Sequence, residues 1–345
     1  MEKIAVLGAG SWGTALAKTL SKNNNSVIIW GRDTEQIEFM KKNKVNSKYL
    51  AGVELPESLG YTSDLEEAVD HAKIIILAAS SQANRKILDQ IKDQVSKDTV
   101  IVNISKGLEK ETNLRASEIC QEILPHNPFV VLSGPSHAEE VAINIPTTLV
   151  AASEDVKAMQ RIQDSLSNEF MRVYTNSDVI GVELGGALKN IIALGTGILV
   201  GLGYGDNTKA ALMTRGMTEI VRLGTALGAH EATFFGLSGM GDLIVTCTSE
   251  HSRNRRAGVL IGQGKKLSEI SEDIHMVVEG ITSTQIAHEL SKQMHIDMPI
   301  VDKMYEVLYE DKEPTQAIRE LMVRKKKNEI EDLLELHGEI EDAKA

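Results

Sequence analysis

Gly8-Ala9-Gly10-Ser11-Trp12-Gly13 directly follows the apolar run Ile4-Ala5-Val6-Leu7 and opens a stretch of helical composition. Glycine at the first of these positions permits a tight turn. At the second it lets the backbone approach a pyrophosphate, and at the third it lets helix pack closely on strand. The N–H groups of the helix N-terminus then receive the phosphate charge. An ordinary glycine-rich turn needs no strand before it and no helix after it, so the context points to a dinucleotide. The choice of cofactor is read at the end of the next apolar run, where Val27-Ile28-Ile29-Trp30 leads into Gly31-Arg32-Asp33. Asp33 stands 20 residues after Gly13, the place of the carboxylate that receives a ribose 2′-OH in NAD sites, whereas an arginine suits the 2′-phosphate of NADP. Both readings stand. Arg32, the first side chain after the turn, tilts the choice towards NADP with NAD accepted.

More polar groups stand where apolar runs end, which is where an open α/β sheet binds its ligands. Ile101-Val102-Asn103-Ile104-Ser105 runs into Lys106-Gly107, an ammonium placed either for a cofactor or anionic substrate or on an exposed loop. Val130-Val131-Leu132-Ser133 runs into Gly134-Pro135-Ser136-His137-Ala138. Glycine, a rigid proline and a hydroxyl ahead of a helix make a ligand loop, although a simple turn uses the same residue types. Gly185-Gly186-Ala187-Leu188-Lys189-Asn190 sets small residues and then Lys-Asn inside an apolar helical pattern. A lysine is costly to bury unless it is paired or used. The uncharged stretch from Asn190 to Tyr204 argues against snorkelling to the surface, and Lys189 is the leading general acid/base.

Gly236-Leu237-Ser238-Gly239-Met240-Gly241-Asp242 is a glycine-rich turn ending in a carboxylate, and Thr248-Ser249-Glu250-His251-Ser252-Arg253-Asn254-Arg255-Arg256 follows it. The chain carries 37 basic and 49 acidic residues, a net charge of −12, so an anionic ligand needs a local basic cluster, and this segment supplies one. Ser252 and Asn254 flank Arg253 at the start of a helical pattern, which is how fork, side chains and helix N-terminus clamp a phosphate. The plainer alternative is an N-capped surface helix. The nine histidines form no His-Glu-x-x-His pattern, and Cys120 and Cys247 lack zinc spacing, so no metal site is expected.

These groups have to be held by elements. Residues 4–7, 27–30, 74–79, 100–104 and 129–132 are continuously apolar, as suits strands buried on both faces of a parallel sheet. Helical compositions at 14–20, 35–42, 65–70, 84–95 and 114–123 supply the crossovers. A β-like stretch at 147–151, a helical one at 158–166 and a last strand at 171–174 complete an α/β half. From Val179 onward apolar residues recur at helical spacing, as at 184–199, 210–227 and 279–290, and the pattern is all-α. Thr175-Asn176-Ser177-Asp178 offers helix caps where the periodicity changes. The expected organisation is a Rossmann domain at 1–177 and an all-α substrate and catalytic domain at 178–325. A charged tail or helix at 326–345, carrying Ile330, Leu333, Leu334 and Ile340, completes it.

Composition removes several classes of function. A chain of 345 residues fits two globular domains, and 42% apolar with 25% charged residues, 7 Pro and 27 Gly, is neither fibrous nor disordered. Aromatics at 4% leave few stacking platforms for single-stranded nucleic acid, and the net negative charge repels nucleic acid and anionic membranes. No continuous apolar run approaches the ~20 residues of a membrane span, and the N-terminus lacks the pattern of a signal peptide. Two cysteines make no disulfide framework and fit a reducing compartment. The expected location is the cytoplasm.

Taken together, the motifs resemble those of the bacterial, soluble, NAD(P)-dependent sn-glycerol-3-phosphate dehydrogenase family along nearly the whole chain. The resemblance rests on residues 8–13, Ser105-Lys106-Gly107, Ser133-Gly134-Pro135-Ser136 and residues 182–190. It also rests on Gly203-Tyr204-Gly205-Asp206-Asn207-Thr208-Lys209-Ala210, residues 237–242, Ser252-Arg253-Asn254 and Val277-Val278-Glu279-Gly280. Only the last 20 residues, after Lys325, fall outside it. The resemblance implies a Rossmann domain followed by an all-helical one, interconverting sn-glycerol 3-phosphate and dihydroxyacetone phosphate for glycerophospholipid synthesis. It implies Lys189 as the proton acceptor, with Lys106, Gly134, Ser136, Asp242, Ser252, Arg253 and Asn254 around the substrate. Ser11, Trp12, Arg32, Lys106, Ala138, Arg253, Val277 and Glu279 fall to the cofactor, NADP(H) and/or NAD(H), beside Gly8, Gly10 and Gly13. Tyr49 is a weaker transfer, near the adenine, and His137 departs from the aromatic that many members carry. The partners implied are a small phosphorylated molecule, no nucleic acid and no inserted membrane, with room for a homodimer. A ketopantoate-type or β-hydroxyacid reductase shares the plan but does not call for the Ser252-Arg253-Asn254 cluster. A nucleotide-sensing module needs the glycines but not Lys189 and Asp242 together.

Overall fold

The structure is a computed structural model that describes residues 2–23, 25–267, 269–270, 277–326 and 329. Apart from 326 and 329, the C-terminal tail expected at 326–345 lies outside the described residues.

In the first half the apolar runs form strands β1 (Lys3–Leu7), β2 (Ser26–Trp30), β3 (Val45–Asn46), β4 (Leu50–Glu54), β5 (Gly60–Thr62) and β6 (Ile74–Leu77). They continue as β7 (Val100–Asn103), β8 (Phe129–Ser133), β9 (Thr147–Ala152) and β10 (Met171–Asn176). Eight of them make one sheet in the order β10-β9-β8-β7-β6-β1-β2-β5, and β3 and β4 form a separate antiparallel pair. Every pairing in the large sheet is parallel except β8 with β9. The runs are continuously apolar because both faces are covered. Ile4 and Val6 of β1 join one buried cluster with Leu16, Ile37 and Ile162, while Ala5 and Leu7 join another with Leu88 and Ile119. Helices α1 (Ser11–Lys22), α2 (Thr34–Asn43), α6 (Ala138–Ala142) and α7 (Val156–Leu166) cover the first face. Helices α3 (Leu65–Val69), α4 (Asn84–Ile91) and α5 (Ala116–Ile123) cover the second. The sheet order reverses beside β1, from β2 on one side to β6 on the other, which is where an open α/β sheet binds its ligand.

The remaining described elements are helical: α8 (Val179–Gly201), α9 (Asp206–Ala226), α10 (Glu231–Phe234), α11 (Asp242–Thr248), α12 (Arg253–Gly262), α13 (Glu279–Gln293), α14 (Pro299–Tyr309) and α15 (Pro314–Met322). The caps expected at 175–178 are present. Asn176 accepts the Asp178 N–H at 2.9 Å, and Asp178 accepts the Gly181 N–H at 2.9 Å. The chain divides into two compact units inside α8 rather than at its start: one unit holds the residues up to Ala187 together with Phe235–Asp242, the other Leu188–Phe234 and the described residues from Leu243 onward. The first turns of α8 stay with the sheet because Val179 and Val182 are buried against Val131, Val150 and Ala152. Glu183 also accepts from Arg115 Nη1 at 3.0 Å, Ser117 N at 2.9 Å and Ser117 Oγ at 2.5 Å. By length and composition α8 is apolar enough to cross a membrane, and 89% of its most apolar window is buried inside the protein.

Candidate functional site

The glycine loop is built as its spacing requires. Gly8 has φ +142°, and a Cβ there would stand 2.6 Å from the Ala78 carbonyl at the end of β6, so no other residue fits. A Cβ on Gly13 would stand 2.1 Å from Gly8 O, which fixes how closely α1 sits on β1. At Gly10 a Cβ would meet nothing within 4 Å. The protein itself makes no demand for glycine there, and the open backbone is what a pyrophosphate needs. Gly10 is also the N-cap of α1 and gives no side-chain cap, and the first turn carries no acidic residue. The N–H groups and positive dipole end of α1 therefore face outward uncompensated by side chains. The indole Nε1 of Trp12 is buried without a hydrogen-bond partner among the described residues. Open backbone, an uncapped helix start and an unspent donor fit a dinucleotide at this loop.

At the end of β2 the two candidates for cofactor choice part company. Arg32 is exposed and forms no hydrogen bond or ion pair among the described residues. Asp33 is the N-cap of α2, accepting the Gln36 N–H at 3.1 Å, and it pairs with Lys48 Nζ at 3.0 Å. The Gln36 hydrogen bond and then the Lys48 ammonium hold its carboxyl below the usual carboxylate range.

Still in the first unit, Lys106 follows β7 and donates from Nζ to Gly134 O at 2.9 Å and to Asp242 Oδ2 at 2.6 Å. Asp242 is 1% exposed, so this is a buried carboxylate held by a partly buried ammonium. Ser136 Oγ donates to the same Gly134 carbonyl at 3.1 Å. Gly134 has φ +134° and leaves the end of β8 in a conformation that favours glycine. Asp242 closes a π-helical turn over Leu237–Gly241, with Gly241 N bonding Gly236 O at 3.1 Å; π turns recur at functional positions. That turn lies close on α8, where a Cβ at Gly185 would stand 2.9 Å from Ser238 O. The sequence motifs that carry Lys106, Gly134 with Ser136, and Asp242 lie far apart along the chain, and the structure links these four by hydrogen bonds. Ala138 is buried at the first position of α6, behind His137 as its N-cap.

In the second unit Lys189 is 5% exposed and donates to Thr246 Oγ1 at 2.5 Å. The next residue, Asn190, accepts from Asn254 Nδ2 at 2.9 Å, and Asn254 Oδ1 accepts the Gly280 N–H at 2.8 Å. This chain of amides ties α8, α12 and the start of α13 together. Ser252, 3% exposed, caps α12 by accepting the Arg255 N–H at 3.2 Å, so the helix start is capped as the plainer reading has it. Arg253 is exposed, and its Nη1 reaches the Val277 carbonyl at 3.2 Å. Val277 is 48% exposed, and Glu279 opens α13. Lys189 with Thr246, and Ser252, Arg253 and Asn254 with Val277 and Gly280, are thus local groupings. Thr246 and Asn46 were not singled out from sequence, and Asn190 was named only as part of a motif. An amide inside the longest apolar helix is itself a signal, since burial obliges it to find partners.

Two family models match, the NAD-dependent glycerol-3-phosphate dehydrogenase N-terminus over residues 3–159 and the NAD-dependent glycerol-3-phosphate dehydrogenase C-terminus over residues 178–319. A glycerol-3-phosphate dehydrogenase (NAD(P)+) of Geobacillus kaustophilus is 52% identical over 344 residues, covering 99% of this chain and 100% of the relative. One of a Thermoanaerobacter species is 53% identical over 328 residues, covering 95% and 99%. The crystal structure of glycerol-3-phosphate dehydrogenase from Coxiella burnetii superposes with a TM-score of 0.90 at 39% identity, covering 94% of this chain and 99% of that one. With both halves matched, and with relatives above half identity over almost all of its length, the chain belongs to the NAD-dependent glycerol-3-phosphate dehydrogenase family.

Proposed function

We propose that the chain interconverts sn-glycerol 3-phosphate and dihydroxyacetone phosphate, using NADP(H) and accepting NAD(H), with Lys189 as general acid and base. The observation that carries this reading is the lysine itself: 5% exposed, in a helix with no other charge from Asn190 to its end, with Nζ donating to Thr246 Oγ1. Burying a lysine is costly, and functional sites are where such groups collect.

When bound, the nicotinamide gives a hydride to the ketone carbon or takes one from the alcohol. The chain supplies the proton. As an ammonium, Lys189 would protonate the carbonyl oxygen during reduction. In oxidation the neutral amine takes the proton from the alcohol. Thr246 Oγ1 accepts from the Lys189 ammonium and orients it. Asp242, held by Lys106, is available as an acceptor for substrate hydroxyls. The substrate phosphate falls to the Arg253 guanidinium and the start of α12, with Ser252 and Asn254 beside it. Lys106, Gly134 and Ser136 complete the substrate contacts. Gly8, Gly10, Ser11, Trp12 and Gly13 hold the pyrophosphate, Arg32 the 2′-phosphate, and Lys106, Ala138, Arg253, Val277 and Glu279 the remainder of the cofactor. In the cell the reaction would run in the cytoplasm, supplying sn-glycerol 3-phosphate to glycerophospholipid synthesis.

The test is absorbance at the reduced-nicotinamide band on mixing the protein with NADPH or NADH and dihydroxyacetone phosphate, in parallel with unphosphorylated dihydroxyacetone. Oxidation with the phosphate ester alone is expected, faster with NADPH. Oxidation with neither, in protein that binds NADPH, would reject the substrate and leave only the cofactor reading.

A further inference from the structure

Arg32 and Asp33 argue for opposite cofactors, and the structure pairs Asp33 with a third charged residue, Lys48. We propose that Lys48 is a specificity-determining residue that turns this ribose site towards a 2′-phosphate by neutralising Asp33 and adding a second cation beside Arg32. The inference rests on the reading of residues 8–13 as a dinucleotide loop.

A free carboxylate at the end of the second strand accepts a ribose 2′-OH and repels a 2′-phosphate. Both oxygens of Asp33 are already engaged, one of them by a cation. Oδ1 accepts the Gln36 N–H at 3.1 Å and Oδ2 takes Lys48 Nζ at 3.0 Å. Lys48 is an exposed residue on the turn between β3 and β4, and its side chain keeps 54% of its surface open; Arg32, the chain neighbour of Asp33, is exposed as well. Its placement is not left to a mobile loop. Asn46, 1% exposed, donates from Nδ2 to Ala9 O at 2.9 Å and to Thr14 Oγ1 at 2.8 Å, and its Oδ1 accepts the Tyr49 N–H at 3.3 Å. Gln36 Nε2 also donates to Ala9 O, at 2.8 Å. The turn bearing Lys48 is therefore stapled to the loop that carries Gly8, Gly10 and Gly13. Lys48 Nζ lies 5.3 Å from the centre of the Tyr49 ring, a second restraint on the ammonium. An exposed ion pair contributes little to stability by itself, which leaves the charge at this position as the property a ligand would feel.

The test is calorimetric binding of two cofactor fragments, adenosine 2′,5′-bisphosphate and adenosine 5′-monophosphate, to the full chain, to K48M, to D33N and to the double variant. D33N keeps an amide able to cap α2. K48M is expected to weaken the bisphosphate about five- to tenfold and the monophosphate less than about twofold. D33N is expected to strengthen the bisphosphate, and in the double variant to recover most of what K48M loses. Equal weakening of both fragments in K48M, or no change in either, overturns the proposal, and a lowered melting temperature with an unchanged fragment ratio assigns Lys48 a structural role only. If the unaltered chain binds neither fragment, nor NADPH nor NADH, the dinucleotide reading itself has failed, and this inference goes with it.

Discussion

The catalytic reading turns on one buried ammonium. Replacing Lys189 by Met keeps the length and apolar stem of the side chain while removing the proton, so packing in α8 is retained. Turnover is expected to fall by about a thousandfold or more, in the range general acid–base groups contribute. NADPH binding, followed by nicotinamide fluorescence, should change less than about twofold. Turnover close to that of the unaltered chain would remove Lys189 from the chemistry. Thr246→Val probes the same atom from its partner: it preserves shape but removes the acceptor of the 2.5 Å bond. With the ammonium less well oriented, kcat should drop about tenfold with KM for the ketone nearly unchanged, because a mispositioned acid harms the transition state more than the ground state. At this scale the sequence was legible wherever a residue type conflicts with its surroundings. Lysine in an apolar helix, glycine at three fixed spacings and arginine in an acidic chain each stand out without a structure. Thr246 and Asn46 did not, because a threonine in a helix and an asparagine after one conflict with nothing; only the partner they meet in three dimensions gives them a role.

Elements position these residues through close approach of backbones. Gly197 and Gly201 on α8 lie against Gly258 and Gly262 on α12. A Cβ at Gly197 would stand 2.0 Å from Arg255 O, and one at Gly258 2.0 Å from Leu194 O. Two glycines four residues apart on each helix therefore set how near α12 comes to α8. That spacing allows Asn254 to reach Asn190 at 2.9 Å. Gly258→Ala forces the helices apart and is expected to cost about 1–3 kcal/mol or more by overpacking, read as a lower urea midpoint. It should also raise KM for dihydroxyacetone phosphate, since Ser252, Arg253 and Asn254 move with the helix start. An unchanged midpoint would show that the pair can relax without loss. The strand and helix order of the first half follows from continuous apolar runs buried on both faces. The β3–β4 pair and β5 (Gly60–Thr62) were not read, for a physical reason: β3 and β5 have only two and three residues, and β4, Leu-Ala-Gly-Val-Glu, is largely exposed and lacks a continuous apolar run. The return of Phe235–Asp242 to the first unit was equally hidden, being fixed by contacts with β9 and α8 and not by its own composition.

Across the whole molecule, buried and paired carboxylates set how stability depends on pH. Glu109, held by the Arg85 guanidinium, and Glu320, lowered to about 2 by Lys303 first and then Lys312, titrate below their ordinary value of 4.5. The stability they contribute is present above that value and is lost as pH falls towards their folded values. Glu219 acts in the opposite sense. It is 3% exposed on α9, and burial pushes its carboxyl up to about 8, outweighing the N–H groups of Ile300 and Val301 at 2.8 and 3.1 Å and the charge of Arg222. Between pH 4.5 and about 8 the folded chain therefore holds a proton that the unfolded chain has released, and stability must decline as pH rises through that window. The decline is on the order of a few kcal/mol at most, and it begins near the pH at which the contribution of the lowered carboxylates levels off, so the maximum lies near the acid end of the range. Glu219→Gln keeps a neutral acceptor for the α14 N-terminus and should flatten the fall in urea midpoint from pH 5 to pH 8. Far-UV circular dichroism is the suitable probe, because both tryptophans, Trp12 and Trp30, lie in the first unit and Glu219 in the second. A slope unaltered by the substitution would mean that the two backbone donors and Arg222 prevail over burial, and that Glu219 is charged in the native protein at neutral pH.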